Sequence, residues 1–200
     1  VIFAGSESSV PGVKEAIDKL SLAHQNTRFL IRTAHFSMAY LDTKDEQAIQ
    51  NLTDAIFRYG GKGCRSVAVV VSPFRIEEIR EELADQVKQF WFENPQHEYP
   101  SPKLKQQFAY NEAIERPQLW LEYFLLQEEG LELDQDFICY WVPGDESTVV
   151  SLAEQFDEQL QSVYVTDSES AIDGVEEQVE VLQNAQQPSF TKNTNSKLQL

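Results

Sequence analysis

The stretch Tyr59-Gly60-Gly61-Lys62-Gly63-Cys64-Arg65-Ser66-Val67-Ala68-Val69-Val70-Val71 decides how this sequence folds. Upstream of it, Ala48, Ile49, Leu52, Ala55, Ile56 and Tyr59 recur at helical spacing and predict an amphipathic helix over 45–59, with Asp42 or Thr43 as its cap. The glycines at 60, 61 and 63 stop that helix, because glycine loses the most backbone freedom when held in one. Val67 to Val71 then runs without a polar residue. A half-buried strand alternates polar and apolar positions, so an unbroken apolar run suits a strand covered on both faces, as in a parallel sheet flanked by helices.

Working outward, the same alternation of strand and helix continues. Residues 1–4 and 28–31 read as short strands around a helix near 10–22, striped by Val13, Ala16, Ile17 and Leu20. Phe36 to Leu41 is a further strand. Downstream, Pro73 opens a helix near 75–91 striped by Ile76, Ile79, Leu83, Val87 and Phe90. The prolines between 92 and 102 mark a loop before a helix near 103–115, and Trp120 to Leu126 fits either strand or helix. Phe137 to Val142 and Val163 to Val165 read as strands, with a helix capped by Ser147 between them and another, capped by Ser168, running to about Leu182. Repeated strand–helix–strand units imply right-handed crossovers, so the predicted class is α/β with an open, largely parallel sheet and flanking helices.

Composition limits what such a fold can do. With 200 residues, 42% apolar content and 11% aromatics, the chain can bury a core for one domain, or for one domain and part of another. A net charge of −17 disfavours nucleic acid and anionic membrane surfaces as partners. No apolar run approaches a membrane span and no signal-peptide pattern opens the chain, so a cytoplasmic location is expected. Two cysteines far apart in sequence, Cys64 and Cys139, suggest neither a disulfide framework nor a metal site. The chain opens on Val1-Ile2-Phe3-Ala4-Gly5, an apolar run entering a glycine turn without an initiator Met, which reads as a start inside a fold with a region upstream.

Cys64 is the leading candidate for chemistry. Gly63 and Arg65 flank it between a helix and a buried strand, where backbone N–H groups and a cation favour thiolate if the arginine turns towards the sulfur. Strand alternation makes the opposite direction equally open for Arg65. Most cysteines are inert small hydrophobes, and Cys139, in an apolar strand, fits that description. Gly5-Ser6, at a strand-to-turn junction before a helix, would let a cofactor approach the backbone closely, though an ordinary turn has the same composition. His24, His35 and His97 lack metal-ligand spacing, and Trp91, Trp120 and Trp141 read as core.

Several segments resemble one superfamily. Val1-Ile2-Phe3-Ala4-Gly5-Ser6 resembles the Phe-Thr-Gly-Ser strand-turn of aldehyde dehydrogenases, which lies beside the nicotinamide cofactor, and the strand Phe36 to Leu41, the helix 45–59, the run Tyr59 to Val67 and the strand and helix that follow are similar to that superfamily's catalytic-cysteine region. The form Gly61-Lys62-Gly63-Cys64-Arg65-Ser66-Val67 is closer to the acyl-CoA reductases related to the luminescence fatty-acid reductase. Ser162-Val163-Tyr164-Val165-Thr166-Asp167 and Ala185-Gln186-Gln187-Pro188 resemble late segments of that branch. In hydrolytic members a Glu-Leu-Gly-Gly segment carries the glutamate that activates water, whereas the matching Phe29-Leu30-Ile31-Arg32-Thr33 has no acid. The superfamily's Glu-x-Phe-Gly-Pro motif has no counterpart in this sequence.

The resemblance implies an acyl-CoA reductase in which Cys64 takes the acyl group and a reduced nicotinamide, NADPH with NADH as the alternative, reduces the thioester to an aldehyde. It places Gly5 and Ser6 at the cofactor and divides the chain into 1–31 as the end of a dinucleotide-binding domain, 32–188 as the catalytic-cysteine domain and 189–200 as a tail. Acyl-CoA is the implied partner, a homo-oligomer is compatible, and residues 1–200 are expected not to reduce acyl-CoA alone. Two other readings stand beside this one: a truncated, non-catalytic remnant or partner-binding module, and a hydrolase in which Cys64 works with His35 or His97.

Overall fold

A computed structural model describes residues 2–5, 9–23, 30–33, 36–61, 63–96, 100, 102–133, 137–167, 172–176 and 178–187. Strands β1 (Ile2–Gly5) and β2 (Leu30–Thr33) pair in parallel as a small sheet, with helix α1 (Val10–Ala23) between them in sequence. The larger sheet holds β3 (Phe36–Tyr40), β4 (Val67–Ser72), β5 (Gln118–Trp120), β6 (Leu125–Glu128), β7 (Ile138–Pro143), β8 (Leu160–Val165) and β9 (Val179–Val181). Their order is β5-β6-β7-β4-β3-β8-β9, and every pairing is parallel except the β5–β6 hairpin.

The apolar run that predicts a doubly covered strand is the centre of this sheet. In β4, Val67 and Val70 join one core with Ile49, Leu52 and Ile56 of α2 (Glu46–Phe57), Leu83 and Val87 of α3 (Arg80–Glu93) and Leu104 of α4 (Pro102–Ala113). Val69 and Val71 face the other core, with Met38, Val163, and Val149 and Ala153 of α5 (Glu146–Phe156). Each such side chain contributes about 1.5–3 kcal/mol on full burial, and of the run only Ala68 is partly exposed. The alternation slips at Ala68, where β3 and β4 change register between Ser37 and Met38. Trp141 is completely buried beside this strand, and its indole N–H donates to the Phe74 carbonyl at 2.7 Å.

Several expectations are corrected. Neither Asp42 nor Thr43 caps α2: Asp45 holds that position, and Thr43 Oγ1 accepts instead from the Asp45 N–H, ahead of the helix. Asp145, not Ser147, caps α5, its carboxylate accepting from the Ser147 and Thr148 N–H groups. The early strand runs over Leu30–Thr33, two residues past the expected end, while residues 28 and 29 of the expected strand lie outside the described residues. The helix expected to reach Leu182 is absent over its described part. There, Asp173 and Gly174 form a turn in which the glycine takes φ +101°, and the β-branched, alternating Val179 and Val181 add strand β9. The ambiguous segment near 120–126 is the β5–β6 hairpin. In α1 the expected stripe is only half met, since Val13 and Ile17 are half-buried while Ala16 and Leu20 are exposed.

Candidate active site

Cys64 sits in a tight turn between the helical segment ending at Gly61 and the start of β4. Two glycines make the turn possible. Gly61 takes φ +69° with its Cα so close to the Phe124 ring that a Cβ would lie 2.8 Å from it, and Gly63 takes φ +108°. The Ser66 N–H donates to the Gly63 carbonyl at 3.0 Å and closes the turn around Cys64 and Arg65. Ser37, at the irregular start of β3, holds it from the neighbouring strand: its Oγ donates to the Cys64 carbonyl at 2.7 Å, and its N–H donates to the Ser66 carbonyl at 3.1 Å. Bulged strand starts of this kind re-aim adjacent side chains. The site is therefore at the amino end of β4, whereas open α/β sheets commonly bind ligands at the carboxyl ends of their strands.

Arg65, whose direction the sequence left open, engages the C-terminal part of the sheet, while remaining within electrostatic reach of Cys64. Its guanidinium donates to Glu180 Oε2 at 2.8 Å and Oε1 at 3.4 Å, to the Ala185 carbonyl at 2.7 Å and to the Asn184 carbonyl at 3.2 Å. It also lies 5.7 Å from the centre of the Tyr164 ring, within cation–π range. Burial works to lower the Arg65 pKa, but hydrogen bonding to Glu180 and the nearby charges outweigh it, so the group is held above its ordinary value and stays charged. Glu180 in turn accepts from Ser162 Oγ at 3.0 Å on β8. The Tyr164 hydroxyl donates to the same Ala185 carbonyl at 3.3 Å, and burial pushes its pKa up. None of these partners lies near Cys64 in sequence, and sequence reasoning named none of them as site residues.

The other candidates fall as follows. Cys139 lies in β7, completely buried and opposite Leu126, and burial pushes its thiol pKa far up, as expected of a core cysteine. Gly5 is the last residue of β1, while Ser6, His24, His35 and His97 lie outside the described residues. Trp91 and Trp141 are core residues and Trp120 packs against the core, but Phe92 is 83% exposed. Among the described residues no cluster of His, Cys, Asp and Glu is arranged to hold a metal, and no helix is long and apolar enough to cross a membrane. A polar groove between α2 and α3, lined by Gln47, Asn51, Arg58, Gln86 and Leu182 among others, does not include Cys64.

No protein-family model matches the sequence, and comparison with curated proteins gives no match. Solved structures do match. The NADP-dependent glyceraldehyde-3-phosphate dehydrogenase of Bacillus halodurans, complexed with NADP, aligns over 90% of this chain and 42% of its own at 14% identity with a TM-score of 0.56. An NAD-dependent aldehyde dehydrogenase from Sinorhizobium meliloti aligns over 90% and 41% at 12% identity and a TM-score of 0.57. The bifunctional proline utilization A protein aligns over 90% of this chain and 21% of its own at 14% identity and 0.57. This chain thus spans less than half the length of each of these structures, and what they share with it is an aldehyde dehydrogenase-like α/β fold.

Proposed function

We propose that the chain is the C-terminal part of an NADPH-dependent acyl-CoA reductase, a cytoplasmic enzyme with Cys64 as its nucleophile. The observation that carries this reading is the placement of Cys64: the aldehyde dehydrogenase-like fold presents it in a glycine-shaped turn, half-buried, while Cys139 is sealed in the core. In this reading the small sheet belongs to the dinucleotide-binding remnant at 1–31, apart from the last two residues of β2, and the large sheet forms the catalytic-cysteine domain at 32–188.

The Cys64 thiolate attacks the carbonyl carbon of the acyl-CoA thioester, a new carbon–sulfur bond forms, and coenzyme A leaves as its thiolate, which takes up a proton. Backbone N–H groups of the turn are the chain's own means of stabilising the negative carbonyl oxygen. The acyl group then waits on Cys64. Because Phe29 to Thr33 contains no acid, the strand that would supply the water-activating glutamate leaves the thioester intact. Gly5 and Ser6 would hold one edge of the nicotinamide, and the first turn of α1, which follows them, carries no acidic residue to repel an anionic cofactor. When bound, reduced nicotinamide supplies the hydride that releases the acyl group as aldehyde.

The test is discharge of the acyl-enzyme. Full-length protein loaded with acyl-CoA should release aldehyde when NADPH is added. Release of free acid without NADPH would instead establish a hydrolase.

A further inference from the structure

The Cys64 turn is fastened to a segment more than a hundred residues away. Arg65, the residue after the cysteine, spends its guanidinium on Glu180 of β9 and on the Asn184 and Ala185 carbonyls just beyond it. The pair is half-hidden, with side chains 18% and 22% exposed, so it is shielded from solvent more than a surface ion pair. Arginine's planar fork can meet a carboxylate with two N–H groups at once, fixing orientation as well as distance. From β3, which lies between β4 and that segment in the sheet, Ser37 fixes the Cys64 carbonyl. The turn is thus tied twice, to β3 through the Cys64 carbonyl and to the β9 segment through Arg65, and Ser162 in turn orients Glu180 from β8. A turn with two positive-φ glycines has little stiffness of its own, so its geometry depends on these outside ties.

We propose that Arg65 and Glu180 are positioning residues for Cys64, an ion-paired clamp through which docking of residues 179–187 sets the approach of the thiol to its acyl donor. This rests on the acyl-transfer reading above. The clamp touches no reacting atom. It acts by holding the Cys64 turn in one arrangement, which matters most for a reaction that needs an aligned attack on a carbonyl.

The test compares two reactions of Cys64 in the full-length protein and its Arg65→Gln, Arg65→Lys and Glu180→Gln variants: acyl transfer from octanoyl-coenzyme A, followed by intact mass, and alkylation by iodoacetamide, an undemanding reagent. Labelling of buried Cys139 reports whether the fold survives. With Cys139 still protected, Arg65→Gln and Glu180→Gln should lower the ratio of acyl transfer to alkylation between about 10- and 100-fold, through the saturated rate rather than the half-saturating donor concentration. Arg65→Lys should recover part of the loss. An unchanged ratio in Glu180→Gln overturns the proposal. If wild-type Cys64 alkylates but takes no acyl group, the acyl-transfer reading fails. Positioning is then judged on alkylation alone, where a change of about threefold or more in both Gln variants supports the clamp and an unchanged rate overturns it.

Discussion

Cys64 and Cys139 are the same side chain in two settings, and the contrast shows what the fold does to a thiol. Cys139 is the second residue of β7, flanked in the sheet by Leu126 and sealed from solvent. Its surroundings penalise thiolate, so its place is that of a small apolar residue. Cys64 has no strand neighbours of its own. It lies in a half-buried turn whose shape comes from Gly61 and Gly63 and whose anchors are Ser37 and Arg65. A strand cysteine is held by the sheet ladder, whereas a turn cysteine is held by side chains from other elements. That makes the turn adjustable and open to a reactant.

The contrast can be broken first by a thiol reagent. Cys139 becomes accessible only when the sheet opens, which for a small domain costs most of its global stability, whereas Cys64 needs a local movement at most. Mapped iodoacetamide labelling under native conditions should therefore be at least about a thousandfold faster at Cys64 than at Cys139. Comparable rates would mean that β7 is not in the core.

Serine substitution sharpens the same comparison with a smaller effect. Cys139→Ser places a hydroxyl among apolar neighbours and should cost about 1–3 kcal/mol in denaturant unfolding. Cys64→Ser should stay within about 0.5 kcal/mol of the parent, because the turn is half exposed and polar. Equal losses would show that the Cys64 thiol is a packing element.

How much of this was legible in sequence depends on whether the cause is local. The unbroken Val67–Val71 run announces a strand buried on both faces, and the two cores on either side of β4 bear that out. The glycine stop before Cys64 is equally local. The failures have non-local causes. Residues near 175–182 satisfy helical spacing as well as strand spacing, and pairing of Val179 and Val181 with Val163 and Val165 on β8 decides in favour of strand. Caps slip by a few residues where neighbouring Asp, Ser and Thr compete, as Asp145 does with Ser147. The direction of Arg65 could not be read at all, because its partner Glu180 follows 115 residues later and only the folded sheet brings them together. The proposed nucleophile was marked by its flanking residues, and the groups that hold its turn were not.

The central claim is that Cys64 takes the acyl group. Full-length protein incubated with acyl-CoA and no reduced nicotinamide should gain the mass of one acyl group less a hydrogen, mapped to the peptide containing Cys64. Cys139→Ala should acquire the same adduct, and Cys64→Ala should lose at least about a thousandfold in its rate of formation. An adduct on Cys139, or undiminished acylation of Cys64→Ala, would contradict the account.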